Sequence, residues 1–109
     1  MSYDYKLTVL LNTNYKPLRF RVEGKSHFQM ILGIDSKNDP GLDQVTYVKY
    51  KLHPTFKDRL RVSSNKSNKF QIEILAWGTF EVGVIIGMKN NEVFEFTQDM
   101  SEVLKKVSL

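Results

Sequence analysis

The chain has 109 residues, 16 of them lysine or arginine against 12 aspartate or glutamate, so its formal net charge is +4; 41% are hydrophobic, 26% are charged and none is cysteine. That length suits one core and hence one domain over residues 1–109, and the composition excludes both a disordered chain and one organised around membrane spans. Without cysteine there are no disulfides, thiolate metal sites or cysteine nucleophiles, which suits a cytoplasmic setting, or a nuclear one if the source is eukaryotic.

The opening Met1-Ser2-Tyr3-Asp4-Tyr5-Lys6 lacks a basic segment followed by an apolar run, so no secretory leader is expected. Residues 5–11 alternate, with Tyr5, Leu7, Val9 and Leu11 on one side, and predict a first or edge strand. Asn12-Thr13-Asn14 is turn chemistry, and Leu18-Arg19-Phe20-Arg21-Val22 alternates again until Glu23-Gly24-Lys25 breaks it. Residues 27–34 predict a third strand, apolar on both faces in its second half, and the Pro-Gly pair in 35–41 marks a surface loop. Residues 45–52 are β-branched and aromatic and run directly into Leu52-His53-Pro54-Thr55-Phe56.

Beyond that loop the chain is polar, with at most a short strand at 59–63. Over 70–76, Phe70, Ile72, Ile74 and Ala76 share the inward parity, which leaves Trp77 on the opposite face, where a lone tryptophan has less reason to be. Gly78 marks a turn, residues 80–88 form a strand with Val82, Val84 and Ile86 on one face, and 89–92 is a hairpin signal leading to a partner strand at 93–96. In the tail, Ser101 can cap a two-turn helix in which Met100, Val103, Leu104 and Val107 recur at helical spacing. The whole predicts an all-β fold: an immunoglobulin-like antiparallel β-sandwich of seven to eight strands with a short C-terminal helix.

Two aromatic loops, 52–56 and 76–80, each combine a turn residue, a hydroxyl and a bulky ring, the equipment of a small-ligand pocket on a rigid sheet. The basic residues cluster most tightly at Lys49, Lys51, Lys57, Arg59, Arg61, Lys66 and Lys69. The main reading of that flank is a solvated sheet edge that blunts aggregation; attraction of an acidic or polyanionic partner is the other, and nucleic acid is its minor form because a dense basic stripe is missing.

The segment 45–56, then Ala76-Trp77-Gly78-Thr79-Phe80, then Phe96-Thr97-Gln98-Asp99-Met100 resemble in order and spacing the YEATS domain family, and Leu-His-Pro-Thr-Phe is especially similar to its prokaryotic branch. The resemblance implies an immunoglobulin-like fold that reads acylated lysine, chiefly acetyl and crotonyl, through a non-enzymatic pocket with no cofactor or metal. It implies that Phe56 and Trp77 form two aromatic walls, that the Thr55 hydroxyl bonds the acyl-lysine amide, and that His53 orients that hydroxyl. A backbone N–H at Trp77 or Gly78 would meet the acyl carbonyl, with Phe28 and Asp99 at the periphery. Ala76 stands where the family has glycine, and Lys25 where some readers carry a further aromatic, for which Phe28 is near enough to substitute.

Each residue also has a plainer reading. Phe56 could plug its loop, His53 could be a hydrogen-bonded strand-end histidine, Thr55 and Asp99 could cap a turn and the tail helix, and Phe80 suits the core. A triad of His53, Asp58 and Ser63 or Ser64 lacks an oxyanion loop, and His27 and His53 have no zinc-ligand spacing. The expected partner is therefore an acylated-lysine peptide or protein and not a membrane. The alternative is a scaffold or protein-interaction domain of the same fold.

Overall fold

The computed structural model describes residues 5–14, 21–22, 25–26, 28–37, 42–76 and 78–108. In chain order the elements are β1 (Tyr5–Asn12), β2 (Arg21–Val22), β3 (Lys25–Ser26), β4 (Phe28–Ser36), β5 (Val45–Lys51), β6 (Leu60–Ser63), a 3-10 turn (Lys66–Asn68), β7 (Ile72–Ala76), β8 (Glu81–Met88), β9 (Val93–Asp99), α1 (Met100–Val103) and β10 (Leu104–Val107). Eight strands form two four-stranded sheets, ordered β10-β1-β4-β7 and β6-β5-β8-β9, while β2 and β3 make a two-residue ladder. The expected strand at 18–22 lies mostly outside the described residues.

Period-two patterning builds the core. Leu7 and Val9 of β1, Met30, Leu32 and Ile34 of β4, and Ile74 and Ala76 of β7 face Val48 and Tyr50 of β5 and Val82, Val84 and Ile86 of β8, all buried in one cluster. Alternation gives each of these strands an apolar row facing the interior of an immunoglobulin-like sandwich. The β8–β9 hairpin turns over residues 89–91, closed by the Met88 N–H donating to Glu92 O at 2.9 Å. Asn91, at φ 67°, takes the left-handed position that asparagine tolerates, and its N–H donates to Met88 O at 3.1 Å.

A second left-handed site precedes β7, where both Lys69 (φ 61°) and Phe70 (φ 57°) have positive φ. Four hydrogen bonds hold this pair: Lys69 N–H to Lys66 O at 3.0 Å, Phe70 N–H to Asn65 O at 2.9 Å, Ile34 N–H to Lys69 O at 3.2 Å, and the Tyr50 hydroxyl to Phe70 O at 2.6 Å. Tyr50 is fully buried, and that burial pushes its phenol pKa well above the ordinary value, so it stays a donor. Tyr50→Phe would leave the Phe70 carbonyl without its partner in an apolar setting. It should lower the unfolding free energy by about 1–3 kcal/mol in urea denaturation.

The tail departs from the expected two-turn helix. Only Met100–Val103 is helical; Leu104 turns to extended backbone (φ −65°, ψ 129°) and the chain continues as β10, parallel to β1 with Val9 opposite Leu104 and Asn12 opposite Val107. A helix this short is marginal, and the open side of β1 offers backbone partners that β-branched Val107 suits. It follows that β1 is no edge strand but lies between β10 and β4.

Of the two caps the tail offered, Asp99 and not Ser101 is the one used. Asp99 occupies the N-cap, its Oδ1 accepting from the Ser101 N–H at 2.9 Å and from the Ser101 hydroxyl at 2.7 Å. These bonds hold the Asp99 carboxyl below the ordinary aspartate pKa, the hydroxyl contributing most. Since the folded value is the lower one, the stabilisation is present above the ordinary aspartate pKa and lost as pH falls through the folded value. Asp99→Asn, which can still accept from the Ser101 N–H, should keep the neutral-pH melting temperature near wild type and flatten its acid-side decline, whereas Asp99→Ala should lower it at neutral pH as well.

Candidate functional site

The β5–β6 connection is clasped at its base. Buried Leu52 donates its N–H to Arg59 O at 2.7 Å, and the Arg59 Nε donates back to Leu52 O at 2.9 Å. Within the clasp, Phe56 N–H donates to His53 O at 3.0 Å, closing a β-turn with Pro54 at its second position, where a fixed φ favours the turn. The clasp through Arg59 was not read from the sequence, because a side chain bonding a carbonyl seven residues back leaves no periodic signal.

That turn aims three side chains together. The Thr55 backbone N–H donates to His53 Nδ1 at 3.2 Å, and Thr55 Oγ1 lies 2.9 Å from the same nitrogen. In the tautomer with the ring proton on Nε2, that nitrogen accepts from both the backbone N–H and the hydroxyl, which leaves the lone pairs of an exposed oxygen as acceptors.

Phe80 is the brace of the group. Its ring centroid is 5.4 Å from that of half-buried Phe56, tilted by 54°, and 6.0 Å from that of His53, met edge-on at 62°. Phe80 is itself half-buried against the core, as its plainer reading has it. Its carbonyl accepts from the Met100 N–H at 3.0 Å, which ties the second loop to the β9–α1 junction and brings Asp99 to the same end of the sandwich, opposite Glu81. This contact between residues 24 positions apart from Phe56 and 27 from His53 is set by the β5–β8 pairing, which the sequence does not display.

The second loop begins at buried Ala76 and passes through Trp77, which lies outside the described residues. Gly78 marks the turn without occupying the left-handed region. Among the described residues no heavy atom beyond its chain neighbours stands within 4 Å of where a Cβ would sit, so what this glycine contributes there is open space. Phe28 pairs with Ala76 across β4 and β7 and is 38% exposed, at the rim of the same end. The structure thus brings His53 and Phe56 together against Phe80 with Thr55 bonded to His53, and puts Gly78 in the loop leading to Phe80, Asp99 opposite Glu81 and Phe28 opposite Ala76.

Ser63, one serine weighed for a triad, is buried at the end of β6 with its Oγ accepting from the Asn65 N–H at 3.3 Å, while His53 Nδ1 is engaged by Thr55. Among the described residues no group of three or more His, Cys, Asp or Glu side chains is placed to hold a metal ion, and no helix is long and apolar enough to cross a membrane.

The family model described as the prokaryotic YEATS domain matches residues 28–101. The crystal structure of the Yaf9 YEATS domain bound to H3K27ac has a TM-score of 0.62 and 20% identity, covering 87% of this chain and 66% of that one. The Yaf9 YEATS domain recognizing an H3K122suc peptide has a TM-score of 0.62 at 18% identity, covering 87% and 67%, and the crystal structure of the yeast AF-9 homolog protein Yaf9 has 0.62 at 19%, covering 94% and 69%. At these identities the likeness is one of fold. The chain spans about two thirds of the length of the solved chains it matches. No curated protein sequence gives a significant match.

Proposed function

Given that the chain belongs to the prokaryotic YEATS domain family, we propose that residues 1–109 act as one non-enzymatic binding domain that takes an acetyl- or crotonyl-type acylated lysine of a partner protein between Phe56 and Trp77. The arrangement that carries the reading is Thr55, whose exposed hydroxyl oxygen lies 2.9 Å from His53 Nδ1 and, with the ring proton on Nε2, donates to that nitrogen and stays free as an acceptor. An acylated lysine ends in a neutral, flat amide with one N–H donor and one carbonyl. The N–H meets Thr55 Oγ1, the carbonyl meets a backbone N–H at Trp77 or Gly78, and the two rings cover the faces.

Selectivity against free lysine follows from desolvation. An ammonium would surrender its hydration to a slot that offers it no countercharge, whereas the amide loses little. Each ring contact contributes about 0.5–1.5 kcal/mol beyond burial, and each neutral hydrogen bond about 0.5–1.5 kcal/mol net. After association costs, dissociation constants fall in the range of about a micromolar to a millimolar. Phe28 and Asp99, at the rim, would meet the flanking peptide.

The test is calorimetric titration of acetyl-lysine and unmodified peptides of one sequence into wild type, Thr55→Ser and Thr55→Val. The proposal expects acetyl-lysine to bind, Thr55→Ser to retain that binding and Thr55→Val, which keeps the shape without the hydroxyl, to weaken it about fivefold to tenfold. Equal binding of both peptides, or no change in Thr55→Val, contradicts it.

A further inference from the structure

Strand β6 ends its sheet, and the phase of its ladder is fixed. It pairs with β5 in the register Lys51 opposite Leu60, Tyr50 opposite Arg61 and Lys49 opposite Val62. The Leu52 N–H to Arg59 O bond continues that register by one step and makes 52/59 a hydrogen-bonded pair. Hydrogen-bonded and non-bonded pairs alternate in an antiparallel ladder, so 50/61 is bonded and 51/60 and 49/62 are not. The backbone N–H and C=O of Leu60 and Val62 therefore point away from β5, to the open side of the sheet. Among the described residues no hydrogen bond reaches them. Their side chains, 50% and 54% exposed, form a small apolar row along that edge.

The charge beside this edge is mostly basic, with Asp58 the acidic residue among Lys57, Arg59 and Arg61. Lys51 is drawn across the sheet to Glu95 (4.0 Å), Lys66 pairs with Asp43 (3.4 Å) and Lys69 with Asp35 (3.7 Å). Lys57, Arg59 and Arg61 have no carboxylate partner among the described residues. Both arginines are nevertheless held, Arg59 Nε by Leu52 O at 2.9 Å and Arg61 Nε by Asp58 O at 2.6 Å, which fixes the guanidinium stems and leaves their terminal N–H groups for an anion. Parity puts Arg59 and Arg61 on one face of the edge and Leu60 and Val62 on the other. A second copy of this strand paired about Arg61 would set arginine against arginine, so the edge disfavours itself as a partner.

We infer that the β6 edge docks an extended acidic segment of a partner protein, which adds as a fifth strand through the backbone groups of Leu60 and Val62. Its apolar side chains lie beside Leu60 and Val62, and its carboxylates alternate with them to meet Lys57, Arg59 and Arg61. The β6 edge shares the β5–β6 connection with Thr55 but uses different groups, and it does not depend on what the Thr55 site binds.

The probe is a capped peptide of about eight residues alternating valine and glutamate, the length of an ordinary strand, titrated into the ¹⁵N-labelled full chain. The expected result is that the Leu60 and Val62 amides shift and their hydrogen exchange slows by about tenfold or more. A valine–lysine peptide and a backbone N-methylated valine–glutamate peptide should do neither. Lys57→Glu with Arg61→Glu, which leave the Arg59 clasp on Leu52 intact, should weaken binding by about tenfold with the remaining resonances in place, and Val62→Pro, tolerable on an edge, should abolish it by removing one donor. Equal binding of the N-methylated peptide, displacement of the probe by polyphosphate without any slowing at Leu60 and Val62, or protection of those amides in a dimer of the free chain would each overturn the inference.

Discussion

Phe56→Ala should cost at least about tenfold in affinity for an acetyl-lysine peptide, because it removes a ring face worth about 0.5–1.5 kcal/mol together with the apolar area it covers. The same ring leans on Phe80 at a centroid distance of 5.4 Å and touches the core, so a loss of stability accompanies the loss of binding. For a half-buried residue this is about 1–3 kcal/mol, too little to unfold a domain of ordinary stability. Phe56→Leu separates the two effects: it restores most of the packing against Phe80 without restoring a flat face. Calorimetric titration beside urea denaturation should find Phe56→Leu near wild type in stability yet close to Phe56→Ala in affinity. Affinity that tracks stability across both variants would make Phe56 a loop plug and nothing more.

The largest stability effect is expected at the far end of the sandwich. Phe70 is fully buried although it stands at φ 57°, so the chain accepts an unfavourable backbone at Lys69 and Phe70 in order to seat that ring. Burial of an aromatic side chain outweighs the roughly 1–2 kcal/mol that each left-handed residue costs. Phe70→Ala keeps the backbone penalty and discards what offsets it. It should lower the unfolding free energy by about 3–5 kcal/mol, more than Tyr50→Phe in the same turn. Urea denaturation of the two variants gives the order directly; a cost below that of Tyr50→Phe would mean that the hydrogen bonds, not the ring, hold the turn.

Where alternation decided the outcome, the fold was legible in the residues. Val82, Val84 and Ile86, and Phe70, Ile74 and Ala76, are buried as their parity implies. The turn at 53–56 followed from Pro54, whose φ has one setting. The tail was misread because the spacing of Met100, Val103, Leu104 and Val107 satisfies a helix locally, and only the open side of β1, remote in sequence, selects a strand. Ser101 and Asp99 are both good caps two positions apart, and the choice between them rests on where β9 ends. The site was legible in its composition, not in its support: nothing local marks Phe80 as the floor beneath His53 and Phe56, or Arg59 as the clasp on Leu52.

The central claim is that a neutral acylated lysine enters between Phe56 and the chain's single tryptophan. Titrating acetyl-, crotonyl- and unmodified lysine peptides of one sequence while following the Trp77 indole N–H and the Gly78 and Thr55 amides by NMR tests it most directly. The account predicts saturable shifts at all three positions with the two acylated peptides and none with free lysine. Identical shifts for the three peptides, or shifts that leave Trp77 and Thr55 unmoved, would contradict it.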